Sequence, residues 1–173
     1  TVSTTNCTKQ SIVINVDIPN QISNLSKKQV FLNITSEFEN FIYRHPQKQS
    51  LSIDIGTAQT FLFKKVVKKL FARVQTERLS PSSTPDIFIK PKLINIELSR
   101  PEESGLTSFE CRFRYMILIR TQEYVQNHII LAYSRTPKMS KNETQIIAEL
   151  MSKCIRTIGS KLQIKLLELA NEV

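Results

Sequence analysis

The strongest constraint on the fold is a stretch of strict alternation, SFECRFRYMILIR. Apolar side chains stand at every second place: Phe109, Cys111, Phe113, Tyr115, Ile117 and Ile119. The places between them hold Glu110, Arg112, Arg114, Met116, Leu118 and Arg120. Because successive side chains of a strand point to opposite faces, this pattern predicts a strand that buries one face and turns arginines outward on the other.

Other segments also have the pattern of strands. Alternation predicts strands over 12–18, 30–34 and 51–55, and a partner for the arginine-bearing strand that starts with Ile129, Leu131 and Tyr133. Over 87–98 the apolar places change parity near Pro91-Lys92, which predicts a bulge there. Residues 36–49 are read as an irregular connection or an extension of a strand, with His45 a surface residue of that loop.

Two amphipathic helices are predicted. Thr57 caps the first, over 58–76, whose apolar stripe is Leu62, Phe63, Val66, Val67, Leu70, Phe71 and Val74. The second, over 141–170, opens with a capping box of Ser140 and Glu143, and Gly159 is a candidate kink in it. Its stripe is Ile147, Leu150, Met151, Cys154, Ile158, Leu162, Leu166 and Leu169.

The predicted order is therefore β-β-β-α-β-β-β-α in a chain of 173 residues. This order indicates an α+β fold: one mixed or mostly antiparallel sheet of about five or six strands, with the helices 58–76 and 141–170 packed on one face. We expect a polar tether over 1–11 and a single domain over 12–173. No run of 18 apolar residues exists, so no segment is predicted to span a bilayer.

The composition argues against an enzyme. Only three glycines occur, and neither of the glycine-rich phosphate-binding motifs is present. The three aspartates and two histidines form no recognisable pair for acid-base chemistry. We expect no cofactor and no metal, and we read Cys111 and Cys154 as buried free thiols, with a bridge between them as the alternative.

A formal net charge of +9 favours encounter with polyanions. Two sets of basic residues are candidates for binding an anion or a partner. Lys65, Lys68, Lys69 and Arg73 lie on the outer side of the first predicted helix, where a solvated back of a core helix is the favoured interpretation. Arg112 and Arg114 share the outward face of their strand, where anion binding and pairing with Glu97 are both open.

The element order resembles that of small lipoproteins of the Gram-negative envelope. The segments SIVINVDIP, KKQVFLNIT and LSIDIG lead into the first helix. PDIFIKPKLINIEL, a hairpin of FECRFRYMILIRT and IILAYSR, and the long last helix follow. Over 12–170 this arrangement is similar to the YajG family of outer-membrane lipoproteins. It is more loosely similar to the lipopolysaccharide-assembly lipoprotein LptE and the auxiliary lipoproteins of envelope ABC transporters.

The resemblance implies a non-enzymatic periplasmic domain, tethered to the outer membrane by a lipid anchor. Such a domain is an accessory in outer-membrane assembly, lipid trafficking or a secretion complex. Its expected partners are envelope proteins, and anionic lipid or lipopolysaccharide. The polar start TVSTTNCTKQ suits a tether, although a boundary cut inside a longer chain would look the same. Cys7 lacks the apolar leader that lipid attachment needs, so the attachment cysteine is expected before Thr1.

Two alternatives remain open at this stage. One is a structural subunit of a secretion machine in the cell envelope. The other is a basic nucleic-acid-binding α/β domain of the cytoplasm, which is disfavoured because no reader motif or row of stacking aromatics accompanies the lysines. A signal peptide before Thr1 would indicate the periplasm, and an initiator methionine there would indicate the cytoplasm.

Overall fold

The computed structural model describes residues 14, 16, 25–77, 84–105, 107–137 and 142–172. In chain order its elements are β1 (Ser26–Leu32), α1 (Ser36–Glu39), β2 (Ile42–His45), β3 (Lys48–Asp54), α2 (Ile55–Leu70), β4 (Phe71–Gln75), β5 (Ile87–Ser99), α3 (Pro101–Ser104), β6 (Ser108–Arg120), β7 (Val125–Pro137) and α4 (Glu143–Asn171).

The predicted α+β class is confirmed. Five strands form a mixed sheet in the order β4-β1-β5-β6-β7, and β2 with β3 forms a separate two-stranded sheet. β1 runs parallel to both of its neighbours, β4 and β5, whereas β5, β6 and β7 are antiparallel. The sheet is therefore a meander of three long strands, joined by β1 to a short parallel edge.

The core lies on one face of this sheet, as the alternation in β6 predicts. The odd-numbered side chains from Phe109 to Ile119 are all buried, and α2 and α4 cover them. The hydroxyl of Tyr115 donates to Gln59 Oε1 of α2 at 2.8 Å, and Cys154 Sγ of α4 lies 3.5 Å from the carbonyl oxygen of Cys111. Cys111 and Cys154 are buried free thiols, as predicted, and no bridge joins them.

The boundaries predicted for the first helix are wrong at both ends. The side chain of Asp54, and not Thr57, caps the helix, because Asp54 Oδ1 accepts a hydrogen bond from Thr57 N at 3.0 Å. The helix ends at Leu70 because the next residues, Phe71–Gln75, pair in parallel with β1. Arg73 therefore lies on a strand, away from the lysine side of α2.

The last helix is continuous from Glu143 to Asn171, so Gly159 introduces no break. Position 159 accommodates glycine because any larger residue would crowd α2: a Cβ at Gly159 would lie 2.8 Å from Leu62 Cδ1. Asn142 caps this helix by accepting from Thr144 N at 2.9 Å. The predicted capping residue, Ser140, lies outside the described residues.

The prediction that His45 lies on the surface of a loop is wrong, because its side chain is only 2% exposed. The reason is that 36–49 contains a short helix, α1, and the strand β2, whose alternate residues Tyr43 and His45 turn into the interior. Of the strand predicted over 51–55, residues 51–54 are the end of β3 and so belong to the small sheet, whereas Ile55 begins α2.

The parity change predicted in β5 is confirmed a few residues further on. The register of β5 with β6 shifts between Leu93 and Asn95. Of the strand predicted over 12–18, only Ile14 and Val16 are described; both are half-buried, pack against the core and belong to no strand. The predicted tether over 1–11 lies outside the described residues.

Candidate binding surface

The face of the sheet opposite the helices carries the candidate arginines. Because the odd-numbered residues of β6 enter the core, its even-numbered residues project from the other side, where Arg112 and Arg114 are exposed. We call the part of this side formed by Asn95, Glu97, Arg112, Arg114 and Tyr133 the open face. Those residues line a shallow depression of about 520 Å³.

The cross-strand pairing expected for the arginines is present in register but not as an ion pair. Glu97 stands directly opposite Arg112. Its Oε1 instead accepts a hydrogen bond from Asn95 Nδ2 at 3.0 Å. Arg112 lies over the ring of Tyr133, with Cζ 5.3 Å from the ring centroid. No described residue forms an ion pair with Arg112 or Arg114, so both guanidinium groups can accept an anion.

Tyr133 is fixed by its own hydrogen bond. Its hydroxyl donates to Glu110 Oε1 at 2.9 Å, and this bond raises the pKa of the Tyr133 hydroxyl above its usual value. Arg135 Nε lies 3.9 Å from the same carboxylate oxygen. Glu110 is thus occupied by Tyr133 and Arg135, and no described carboxylate lies within ion-pair distance of Arg112 or Arg114.

The basic residues of α2 do not join this surface. α2 covers the opposite face of the sheet, so Lys65 and Lys68 point into solvent on the other side of the domain. Lys69 is only half-exposed, and Arg73 lies on β4, at the far edge of the sheet from β7. Phe61, which the sequence places at the border of the apolar stripe, is exposed, and Lys65 Nζ lies 5.5 Å from its ring centroid.

A row of exposed apolar residues on β7 completes the surface, and sequence analysis did not assign it a face. Val125, Ile129, Leu131 and Tyr133 face outward and are each 46–62% exposed. The inward row contains the buried Ile130 and small residues: Ala132 and Ser134 stand opposite Phe113 and Cys111 of β6. The small residues of this row are the sequence signal that could have identified the buried face of β7, since small side chains allow α4 to approach the strand closely.

The buried histidine offers no site for a substrate. Both ring nitrogens of His45 are occupied: Nδ1 lies 2.9 Å from the hydroxyl of Tyr43, and Nε2 lies 2.6 Å from Glu103 Oε1. Burial raises the pKa of Tyr43 to about 12, so this hydroxyl stays protonated at neutral pH. The two described aspartates, Asp54 and Asp86, accept hydrogen bonds from backbone N–H groups. These roles are structural.

In the part of the chain that the structure describes, no three His, Cys, Asp or Glu side chains come together as a metal ion would require. None of the helices described is both long and apolar enough to cross a membrane.

No protein-family model matches the sequence, and no curated protein matches it. Among solved structures, the chain is similar to protein XCC0632 from Xanthomonas campestris, assigned to the family DUF330. The TM-score is 0.56 at 12% sequence identity, and the match covers 91% of this chain and 93% of that one. This similarity shows a shared fold.

Two looser matches come from other bacteria. Rare lipoprotein B from Shewanella oneidensis matches with a TM-score of 0.43 and 11% identity, over 82% of this chain and 98% of that one. The hypothetical protein CT253 from Chlamydia trachomatis matches with a TM-score of 0.46 and 7% identity, over 79% and 96%. At such TM-scores neither match supports a conclusion about this chain, and membership of the YajG family stays a prediction.

Proposed function

We propose that this chain is a non-enzymatic binding domain of a cell-envelope lipoprotein. It would act in the periplasm as an accessory in outer-membrane assembly, lipid trafficking or a secretion complex. The envelope location is supported by the resemblance of the element order over 12–170 to envelope lipoproteins; the similarity to the DUF330 protein supports the fold alone. We further propose that the open face binds the anionic groups of lipid headgroups.

One observation carries the choice of the open face. Arg112 and Arg114 project side by side from a face that no described helix covers, and neither forms an ion pair with a described carboxylate, although Glu97 stands opposite Arg112 in register. A guanidinium group binds phosphate through two parallel hydrogen bonds. Tyr133 and Leu131 add exposed apolar surface next to these charges. Charge beside apolar surface suits a ligand that has a phosphate group joined to acyl chains.

The test is binding to vesicles of defined composition. Phosphatidylcholine vesicles are compared with vesicles that also contain phosphatidylglycerol or lipopolysaccharide, at low and at high ionic strength. We expect binding to the anionic vesicles only, and weaker binding in salt. Replacing both Arg112 and Arg114 by Gln should weaken it by about 2 kcal/mol, roughly 30-fold, since each basic residue near an anionic surface contributes about 1 kcal/mol.

The control is Lys65→Gln with Lys68→Gln, which removes the same charge from the helix side of the domain. This variant should bind almost as well as the parent protein. Equal losses in the two double variants would show that net charge, and not the open face, attracts the vesicles. Absence of binding to every anionic vesicle at low ionic strength would refute lipid binding.

The envelope location is tested with the complete gene, expressed in a Gram-negative host that is fed a labelled fatty acid. We expect the product to carry the label and to sediment with the outer membrane. An unlabelled product in the cytoplasmic fraction would refute the lipoprotein assignment and would favour a cytoplasmic role for the basic surface.

A further inference from the structure

β7 is a long free edge. It pairs with β6 without interruption, from Val125 opposite Arg120 to Pro137 opposite Ser108. In the described part of the chain no strand lies on its other side. Long regular edges with exposed apolar side chains invite an additional strand, and proteins usually shorten, bulge or cover them. The register of β7 with β6 shows no such bulge.

The backbone groups that face this edge can be identified. The carbonyl oxygen of Leu131 accepts a hydrogen bond from Lys161 Nζ of α4 at 2.6 Å, so this group points away from β6. Peptide groups alternate in direction along a strand, so the odd-numbered residues of β7 all present N–H and C=O to the edge. Pro137, which has no N–H, is also odd-numbered and fits this assignment.

An apolar groove runs along the same edge. The exposed side chains of Ile129 and Leu131, on the open side of β7, and of Ile164 of α4, which is 65% exposed on the helix side, line one groove of about 350 Å³. Lys161 and Lys165 flank it. A strand added to β7 would therefore place its alternate side chains against apolar residues and its middle beside the ammonium group of Lys161.

The charges of the residues around the β7 edge indicate which kind of partner can bind there. Of the cations beside the edge, Lys165 is bonded to Glu168 and Arg135 lies 3.9 Å from Glu110, whereas Lys161 donates to the Leu131 carbonyl and pairs with no carboxylate among the described residues. A second copy of this chain is disfavoured because each copy carries a net charge of +9. Antiparallel pairing of two β7 strands about Leu131 would also bring the two Lys161 side chains together.

We propose that the free edge of β7 binds an extended acidic segment of a partner protein, which adds to the sheet as a sixth strand. Lys161 then exchanges the Leu131 carbonyl for a carboxylate of the segment, and that carbonyl accepts a backbone N–H instead. Specificity comes from apolar side chains against Ile129, Leu131 and Ile164. This goes beyond the lipid contact proposed for the open face, and rests on the proposed function only in assigning the domain a binding role.

The first test is amide hydrogen exchange of the full chain, read residue by residue by NMR. In the free protein, the edge-facing amides of Asn127, Ile129, Leu131 and Tyr133 should exchange much faster than those of Ile130 and Ala132. Protection of the edge amides that grows with protein concentration would mean that a second copy occupies the edge. Protection at every concentration would mean that the chain itself covers it. Either result overturns the proposal.

The second test uses a synthetic peptide in which isoleucine or valine alternates with glutamate. It should bind and slow the exchange of the same four edge amides, whereas the peptide with glutamine in place of glutamate should bind about tenfold more weakly, because several exposed ion pairs are lost. Equal binding of the two peptides would show that acidic side chains do not contribute to binding, and would refute the acidic character proposed for the partner. Slowed exchange elsewhere on the domain, and not at the edge, would refute strand addition.

Two variants at one position isolate the backbone contribution. Ile129→Pro removes an edge-facing N–H without touching the hydrogen bonds to β6, and Ile129→Ala removes only the side chain. The proline variant should bind the glutamate peptide at least about tenfold more weakly than the alanine variant. If the proline variant does not fold, the exchange measurement on the parent protein decides whether the peptide binds to the β7 edge. Arg112 and Arg114 are intact in both variants, so both should still bind anionic vesicles. Failure of strand addition at the β7 edge can therefore be distinguished from failure of lipid binding by the open face.

Discussion

His45 Nε2 and Glu103 Oε1 lie 2.6 Å apart, and this contact fastens the small sheet to the connection between β5 and β6. The second carboxylate oxygen, Glu103 Oε2, accepts from Arg100 N at 3.0 Å. Tyr43 continues the chain of hydrogen bonds through His45 Nδ1. The β2–β3 sheet has only two strands, and two strands alone are marginally stable, so it depends on such attachments.

We expect His45→Leu to lower the free energy of unfolding by about 2 kcal/mol. The leucine fills most of the space but removes the imidazole to which the Tyr43 hydroxyl and Glu103 Oε1 are bonded. Urea denaturation measures the loss. Tyr43→Phe removes only one hydrogen bond and should cost about 1 kcal/mol. A leucine variant as stable as the parent protein would show that the contact between His45 and Glu103 does not stabilise the fold.

The contacts of Arg100 should make stability depend on acid. Partial burial favours the neutral form of Glu143, but hydrogen bonds from Arg100 Nε (2.6 Å) and the charge of Lys48 outweigh it and hold the pKa of Glu143 below its usual 4.5. The pKa of Glu103 is lowered too: burial opposes the shift, but bonds from Arg100 N and His45 exceed it. A lowered carboxyl pKa stabilises the fold above the unfolded-state pKa, and this stability is lost as pH falls.

We therefore expect the free energy of unfolding to drop as pH falls below about 4.5. Arg100→Gln should reduce the drop, because Glu143 would then titrate nearer to its unfolded pKa value, while Glu103 keeps its bonds to the backbone N–H of residue 100 and to His45. The substitution should also lower the plateau at neutral pH. Arg114→Gln, which removes an unpaired charge, is the control. The same acid dependence in Arg100→Gln as in the parent protein would contradict the assignment.

Gly159 is required by the contact between the two long helices. Gly159→Ala gains about 1 kcal/mol of helix propensity but forces its Cβ against the buried side chain of Leu62, and overpacking costs about 1–3 kcal/mol. We expect a net loss in the parent protein. In a Leu62→Ala background the same change should be neutral or stabilising, since the methyl group then enters the vacated space. Thermal denaturation of the four proteins of this cycle measures the reversal of sign.

Gly56 is required for a different reason, because its neighbour is backbone. A Cβ at Gly56 would lie 2.1 Å from the carbonyl oxygen of Glu39, and Gly56 N donates to the carbonyl of Phe41 at 2.8 Å. The backbone of α1 cannot move aside as a side chain would. We expect Gly56→Ala to cost more than about 3 kcal/mol or to prevent folding, and the exposed Thr57→Ala to cost about 1 kcal/mol or less. Circular dichroism and urea denaturation would compare them.

Local periodicity correctly predicted secondary-structure elements whose apolar pattern is continuous. It failed where contacts with residues distant in sequence determine the end of an element or its buried face. The one-sided burial of β6 followed from its alternation alone. The end of α2 did not, because Phe71 and Val74 fit both the helical stripe and a strand, and only pairing with β1 selects the strand. The exposed row of β7 was missed for a similar reason: alternation gives two faces, and the position of α4 decides which face is buried.

The two ladders on either side of β5 differ greatly in length. On one side β6 follows β5 along nearly its whole course, whereas on the other side only Val30 to Leu32 pair with Ile87 to Ile89, with one further bond from Asn33 N to Ile89 O. Segments with few shared hydrogen bonds open before the rest of a domain. When the protein begins to unfold, it should therefore part first along β1 and β5, and the meander of β5, β6 and β7 with α4 should persist as the longer-lived unit.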